Sequence, residues 1–89
     1  MIIVWDEPKR LRNIERHGLD FRDAERIVWA EAMIEPSYPG PYGRPRYRAV
    51  GVLDDDLVAV VFALLGSEGL SLISLRPASR KERKQYAER

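Results

Sequence analysis

The chain contains no cysteine and a single histidine, His17. Without thiols, neither a disulfide framework nor a thiolate metal site can form. One imidazole cannot build a zinc centre without several carboxylates beside it. Long apolar runs are also missing: the longest, Leu57 to Leu65, falls far short of a membrane span. The opening MIIVWDEP has neither the charged start nor the long apolar stretch of a secretion signal, so the cytoplasm is the expected compartment and no membrane partner is expected. There is no internal repeat and no low-complexity tract. Net charge is nearly absent as well, at +1, and by itself says nothing about nucleic acid.

What is present is the balance of a folded soluble protein, 45% hydrophobic and 33% charged in 89 residues. That length supports one modest core, so a single domain over residues 1–89 is expected. The charge is unevenly spread. Residues 1–35 carry −2, residues 36–53 carry +3, residues 54–75 carry −4 and residues 76–89 carry +4. Basic charge is therefore concentrated in two short segments.

Local patterns predict the elements. IIVW at 2–5 is β-branched and aromatic and reads as a first strand. DEPKRLRNIERHG reads as a helix, with Asp6 as cap, Pro8 in the first turn and Gly18 at the end. LDFRDAERIVWAEA offers Asp20 as a cap and Phe21, Ala24, Ile27 and Val28 at helical spacing, predicting a second helix to about Ala30. AMIEP reads as a brief strand. PSYPGPYGRP, residues 36–45, holds four prolines and two glycines and predicts a loop without helix or ladder. RYRAVGVL (46–53), LVAVVFALL (57–65) and LSLISLR (70–76), joined by DDD and GSEG, predict an antiparallel meander. Its middle strand, apolar on both faces, belongs at the centre. Ser79 and Glu82 form an S-x-x-E capping box that starts a last helix. The sum is β-α-α-β-β-β-β-α, an α+β domain with helices on an antiparallel sheet.

Two segments carry a family resemblance. WDEPKRLRNIERHGLDFRDAERIVWAEAMI resembles the opening of the BrnT toxins, in which W-D-x-x-K, a helical Asn, K-H-G and a following F-x-x-A recur. LISLRPASRKERKQY is similar to that family's I-S-A-R-x-A-[ST]-x-x-E-R-x-x-Y. With Arg46 and Gly51 between them, the two segments cover most of the chain. The resemblance implies a RelE-like ribonuclease fold and a type II toxin acting on RNA. It also implies neutralisation by a BrnA-type antitoxin, with operator DNA bound only through that antitoxin. Three positions depart from the pattern: Pro45 stands where an acid usually precedes the arginine, Ser71 replaces an arginine, and Leu75 replaces a small residue.

Ribonuclease chemistry without a cofactor or metal must help remove the 2′-OH proton, stabilise charge on the phosphate and help protonate the leaving 5′ oxygen. Arginine suits the phosphate because its planar fork stays charged. The candidates are Arg76, Arg80 and Arg46 for the phosphate, a tyrosine (Tyr47 or Tyr86) as acid or base, and His17 or Lys9 for proton transfer. Arg83, Lys84, Arg48, Lys9 and Trp5 are further candidate RNA contacts. His17 precedes the helix-ending Gly18, a position that also suits a purely structural cation. Arg46 opens one strand and Arg76 closes the next strand but one, so the two are expected roughly 20 Å apart. The Asp54–Asp56 run is expected near Arg76 and Arg80, where surface charge pairing is a competing account. Two other functions stay open: an impaired relative serving as an antitoxin-binding or repressor-complex subunit, for which Pro45 and Ser71 speak, and an RNA-binding module without cleavage.

Overall fold

The computed structural model describes all residues, Met1–Arg89. The strand apolar on both faces, β4 (Asp56–Leu65), takes the centre of a five-stranded sheet. Its neighbours are β3 (Tyr47–Leu53) and β5 (Gly69–Pro77), both antiparallel to it. β2 (Met33–Pro36) lies outside β3, and β1 (Ile2–Val4) lies outside β5. The sheet is mixed, which corrects the antiparallel expectation: β1 pairs parallel to β5, with Ile2 opposite Gly69 and Val4 opposite Ser71. No hairpin joins these two strands, so no turn dictates their direction.

Alternation sends the two sets of strand side chains into different layers. On the first face, Phe21, Ala24 and Ile27 pack on Ala49, Val58, Val60, Phe62, Leu72 and Leu75. On the second face the buried cluster is smaller, Val50, Ala59 and Ala78 with Met33, Leu57 and Tyr86 against it. Helix α2 (Arg80–Ala87) supplies Tyr86 and so covers only part of that face. No helix is long and apolar enough to cross a membrane.

Helix α1 (Glu7–His17) begins and ends where its residues predict. Asp6 accepts from the Lys9 N–H, and Gly18, at φ 71°, closes the helix by donating to the Ile14 carbonyl. Asn13 is buried on its inner face. Its Nδ2 donates to the Leu75 and Leu19 carbonyls at 2.7 and 2.9 Å, and its Oδ1 accepts from the Leu75 N–H at 3.0 Å. β1 pairs only with residues 69–71, so beyond it this carboxamide satisfies the free edge of β5.

One other expectation is corrected. The segment after Asp20 is not an α-helix but two 3₁₀ turns, Phe21–Arg26 and Trp29–Glu31. Between them the Val28 N–H donates to the Val52 carbonyl of β3, a tertiary bond that draws the backbone out of a helical path. The Pro-rich segment is a loop as expected, except that Pro36 ends β2 and Pro41–Gly43 makes a 3₁₀ turn. Ser37 N–H donates to Arg46 O at 2.8 Å and Gly40 N–H to Arg44 O at 2.7 Å, extending the β2–β3 hairpin to a tip at Pro41–Gly43. Pro39 falls between the two donating residues, so its missing N–H costs the hairpin no bond.

Candidate nucleic-acid interface

Which cations remain free to meet a polyanion is decided by which ones the protein neutralises itself. Arg10, Arg22, Arg26, Arg48, Arg76 and Arg83 each lie within 4.0 Å of a carboxylate oxygen. Lys9, Arg12, Arg16, Arg44 and Arg46 have no such partner, and all five line one trough. Its larger part is a cleft of about 690 Å³ between α1 and β5, bordered by Lys9, Arg12, Arg16, His17 and Ser74, with Glu15 as its only acid. A hollow of about 260 Å³ adjoins it, bordered by Tyr42, Arg44, Arg46, Ala63 and Ser71. Lys9 and Ile73 line both.

The trough exists because two elements stop short. β1 ends at Val4, and α2 covers the Val50 and Ala59 half of the second face, leaving the half around Ala63 and Ser71 open. Lys9, Arg12 and Arg16 recur at the three- and four-residue spacing that gathers side chains on one helix face. Arg46 is aimed by the hairpin and lies against Gly40. A Cβ on Gly40 would stand 2.6 Å from Arg46 Nε and 2.9 Å from its Cζ. Gly40 has ordinary extended backbone (φ −82°, ψ −166°), so alanine fits the main chain and only the guanidinium must move. Gly40→Ala is therefore expected to leave stability within ~0.5 kcal/mol of wild type. It should lower RNA affinity, measured by fluorescence anisotropy, by several-fold; unchanged affinity would show that the position of Arg46 does not matter to binding.

The residues singled out from sequence divide accordingly. Lys9 and His17 line the cleft, and Lys9 and Arg46 line the adjoining hollow. Arg76 and Arg48 line neither, and are drawn instead around Glu82, which is 3% exposed. Arg76 grips both Glu82 oxygens at 2.7 and 2.9 Å, and Arg48 Nε lies 3.5 Å from the same carboxylate while its Nη2 donates to Glu35 at 2.8 Å. The Arg76 bonds, opposed by burial and aided by the Ser79 N–H, hold the Glu82 carboxyl down at about 2. Arg76 is raised in turn, so this pair is charged at any pH the fold survives. Arg76 lies five residues along β5 from Ser71, which stands level with Arg46 across Ala63, so the expected separation along the sheet holds.

Asp54 pairs with Arg26 at 2.9 Å, and Asp56 stands 4.0 Å from Arg83. The acidic run thus does not pair with Arg76 or Arg80, a correction whose cause is the nearer claim of Glu82 on Arg76. Arg80 and Lys84 are exposed on α2, outside the trough. Tyr86 docks on Val50 and Ala59, with the Arg89 guanidinium 3.5 Å from its ring centroid. Tyr47 stacks on Phe62 in the core layer. Trp5 packs against the same first-face core and donates to Glu7 at 3.0 Å, on the other side of the sheet from the trough. Arg12, Arg16 and Arg44 are trough residues that the sequence did not single out. The helical spacing of the first two with Lys9 was the available signal, and nothing local marks Arg44.

The fold is a small α+β sheet with one partly covered face lined by arginine and lysine that no carboxylate neutralises, a surface of positive potential. Residues 5–82 match the family described as "Ribonuclease toxin, BrnT, of type II toxin-antitoxin system", and the chain belongs to that family. It is also similar to the crystal structure of the Brucella abortus ribonuclease toxin, BrnT. The two are 42% identical, the match covers 90% of this chain and 99% of that one, and the TM-score is 0.72. No curated protein matches the chain.

Proposed function

We propose that this chain is an endoribonuclease that cuts RNA without a metal, in the trough between α1 and β5. The 2′-oxygen attacks the adjacent phosphorus as the P–O5′ bond breaks, leaving a 2′,3′-cyclic phosphate and a 5′-OH. Charge developing on the phosphate falls to Arg12 and Arg16, and Lys9, Arg44 and Arg46 grip the neighbouring phosphate. His17 transfers the proton. It is the one imidazole, and it lines the cleft together with Arg12 and Arg16. The observation that carries this reading is the gathering of five unpaired cations and the only histidine in one trough with a single acid. A BrnA-type antitoxin as the neutralising partner, operator DNA bound only through that antitoxin, and a RelE-like fold are what the family resemblance implies.

The test is RNA cleavage by purified protein. His17→Ala is expected to lower kcat by about 10²–10⁴-fold, the usual worth of general acid–base catalysis, while KM stays near wild type. Arg12→Ala/Arg16→Ala should lower kcat/KM by a comparable factor. A His17→Ala protein that cuts at the wild-type rate would return this residue to a helix-terminal role. One observation favours the impaired-subunit reading: Ser71, where the family pattern carries arginine, lines the hollow itself, so a cation is missing from the trough. Folded wild-type protein that leaves RNA whole would end the ribonuclease reading and make the impaired subunit the better account.

A further inference from the structure

We propose that the solvent face of α2 is a second contact for the RNA phosphate backbone, one that adds affinity without taking part in cleavage. The proposal rests on the ribonuclease reading and extends it to the length of RNA engaged. Arg80, Lys81 and Lys84 are exposed, and none has a carboxylate within ion-pair distance. Arg80 and Lys84 stand four apart, on one face of the helix.

The placement works against the helix itself. Arg80 and Lys81 occupy its first turn, where the partial positive charge of the backbone favours acids and disfavours cations. The one acid of that turn, Glu82, is turned inward onto Arg76 and gives the outer face no compensation. Positive charge held where local stability disfavours it is the pattern of a surface kept for binding.

The location fits the same strand of RNA. α2 packs over β3, with Tyr86 on the cluster that holds Val50, and the hollow is bordered by Arg46, four residues back along the chain on the same face of the sheet. Four residues of strand span about 13 Å, so α2 and the trough open to one side within a few nucleotides of each other. A chain leaving the trough meets the α2 cations, whereas an oligonucleotide that only fills the trough does not.

The experiment compares wild type with Arg80→Gln/Lys81→Gln/Lys84→Gln, which keeps good helix formers at exposed positions. Two substrates are used, a 20-nucleotide single-stranded RNA and a trinucleotide, with steady-state cleavage and anisotropy across a salt series. The expected result is a KM for the long RNA raised about tenfold with kcat unchanged, and a trinucleotide cut as by wild type. The dependence of log affinity on log salt should become shallower by about 2, at ~0.7 for each phosphate that the protein no longer neutralises. An unchanged KM on the long RNA overturns the proposal. So does an equal loss on both substrates. If wild type cuts neither RNA, the ribonuclease reading fails separately. Anisotropy with the intact long RNA then still decides: weaker binding by the variant supports the α2 contact, and equal binding overturns it.

Discussion

Glu82→Ala is expected to cost about 2–4 kcal/mol, because Glu82 is buried and hydrogen-bonded while the Arg76 side chain keeps 31% of its exposure. Three groups lose a partner at once. Arg76 loses both bonds of its fork, Arg48 loses the carboxylate 3.5 Å from Nε, and the Ser79 N–H loses its 2.8 Å acceptor. Against the roughly 5–15 kcal/mol of a typical domain, that loss is a large fraction of the total. Urea unfolding at pH 7 measures it. Arg76→Met/Glu82→Leu should recover a good part of the stability, because the penalty comes from the stranded charge more than from the lost attraction. A double variant no better than Glu82→Ala would mean that the ion pair itself carries the energy.

The same carboxyl sets an acid limit. Its value falls from an ordinary 4.5 to about 2 on folding, so its contribution is fully present above pH ~4.5 and is lost as the pH falls toward 2. The urea midpoint of wild type should drop across that window. Glu82→Gln should start lower and drop less. Some slope should persist in the variant, because Asp20, bonded first by Arg22 and also by Arg10, is likewise held at about 2.

Asn13→Ala is expected to cost about 2–4 kcal/mol. It strands the Leu75 N–H and C=O at a buried sheet edge and frees the Leu19 carbonyl, and each unsatisfied buried group costs about 1–3 kcal/mol. Asn13→Asp is the sharper test. A carboxylate can still accept from the Leu75 N–H but faces two carbonyl oxygens, which raises its own pKa. Its stability should therefore improve as pH falls through that raised value, the opposite of the wild-type trend. An Asn13→Asp protein that weakens steadily with acid would remove the carboxamide from its place at the β5 edge.

These two residues show where reading the chain succeeds and where it ends. The capping box of Ser79 and Glu82 is visible as a spacing of three, and the structure contains both of its bonds. That Glu82 also neutralises Arg76 is not visible, because the bond depends on how α2 leaves β5. Asn13 is conspicuous on the inner face of α1, yet its partner Leu75 lies 62 positions away. The prolines of 36–45 mark a loop, and what they do not reveal is that bonds from Ser37 and Gly40 carry the β2–β3 hairpin into it. The helical spacing after Asp20 is genuine, and a single bond from Val28 to Val52 overrides it.

What the sequence alone determined is what neighbours within a few positions decide: both helix starts, the Gly18 stop, the three-stranded meander and the central place of β4. These follow from local hydrogen bonds and from alternation of apolar side chains, and they need no knowledge of the rest of the chain. Tertiary structure alone decided the parallel seat of β1, the half-covered second face and, above all, which of the fifteen basic side chains stay unpaired. A formal charge belongs to a residue, whereas its neutralisation belongs to whatever carboxylate the fold brings within a few ångströms. The trough is made of the cations that no carboxylate reached.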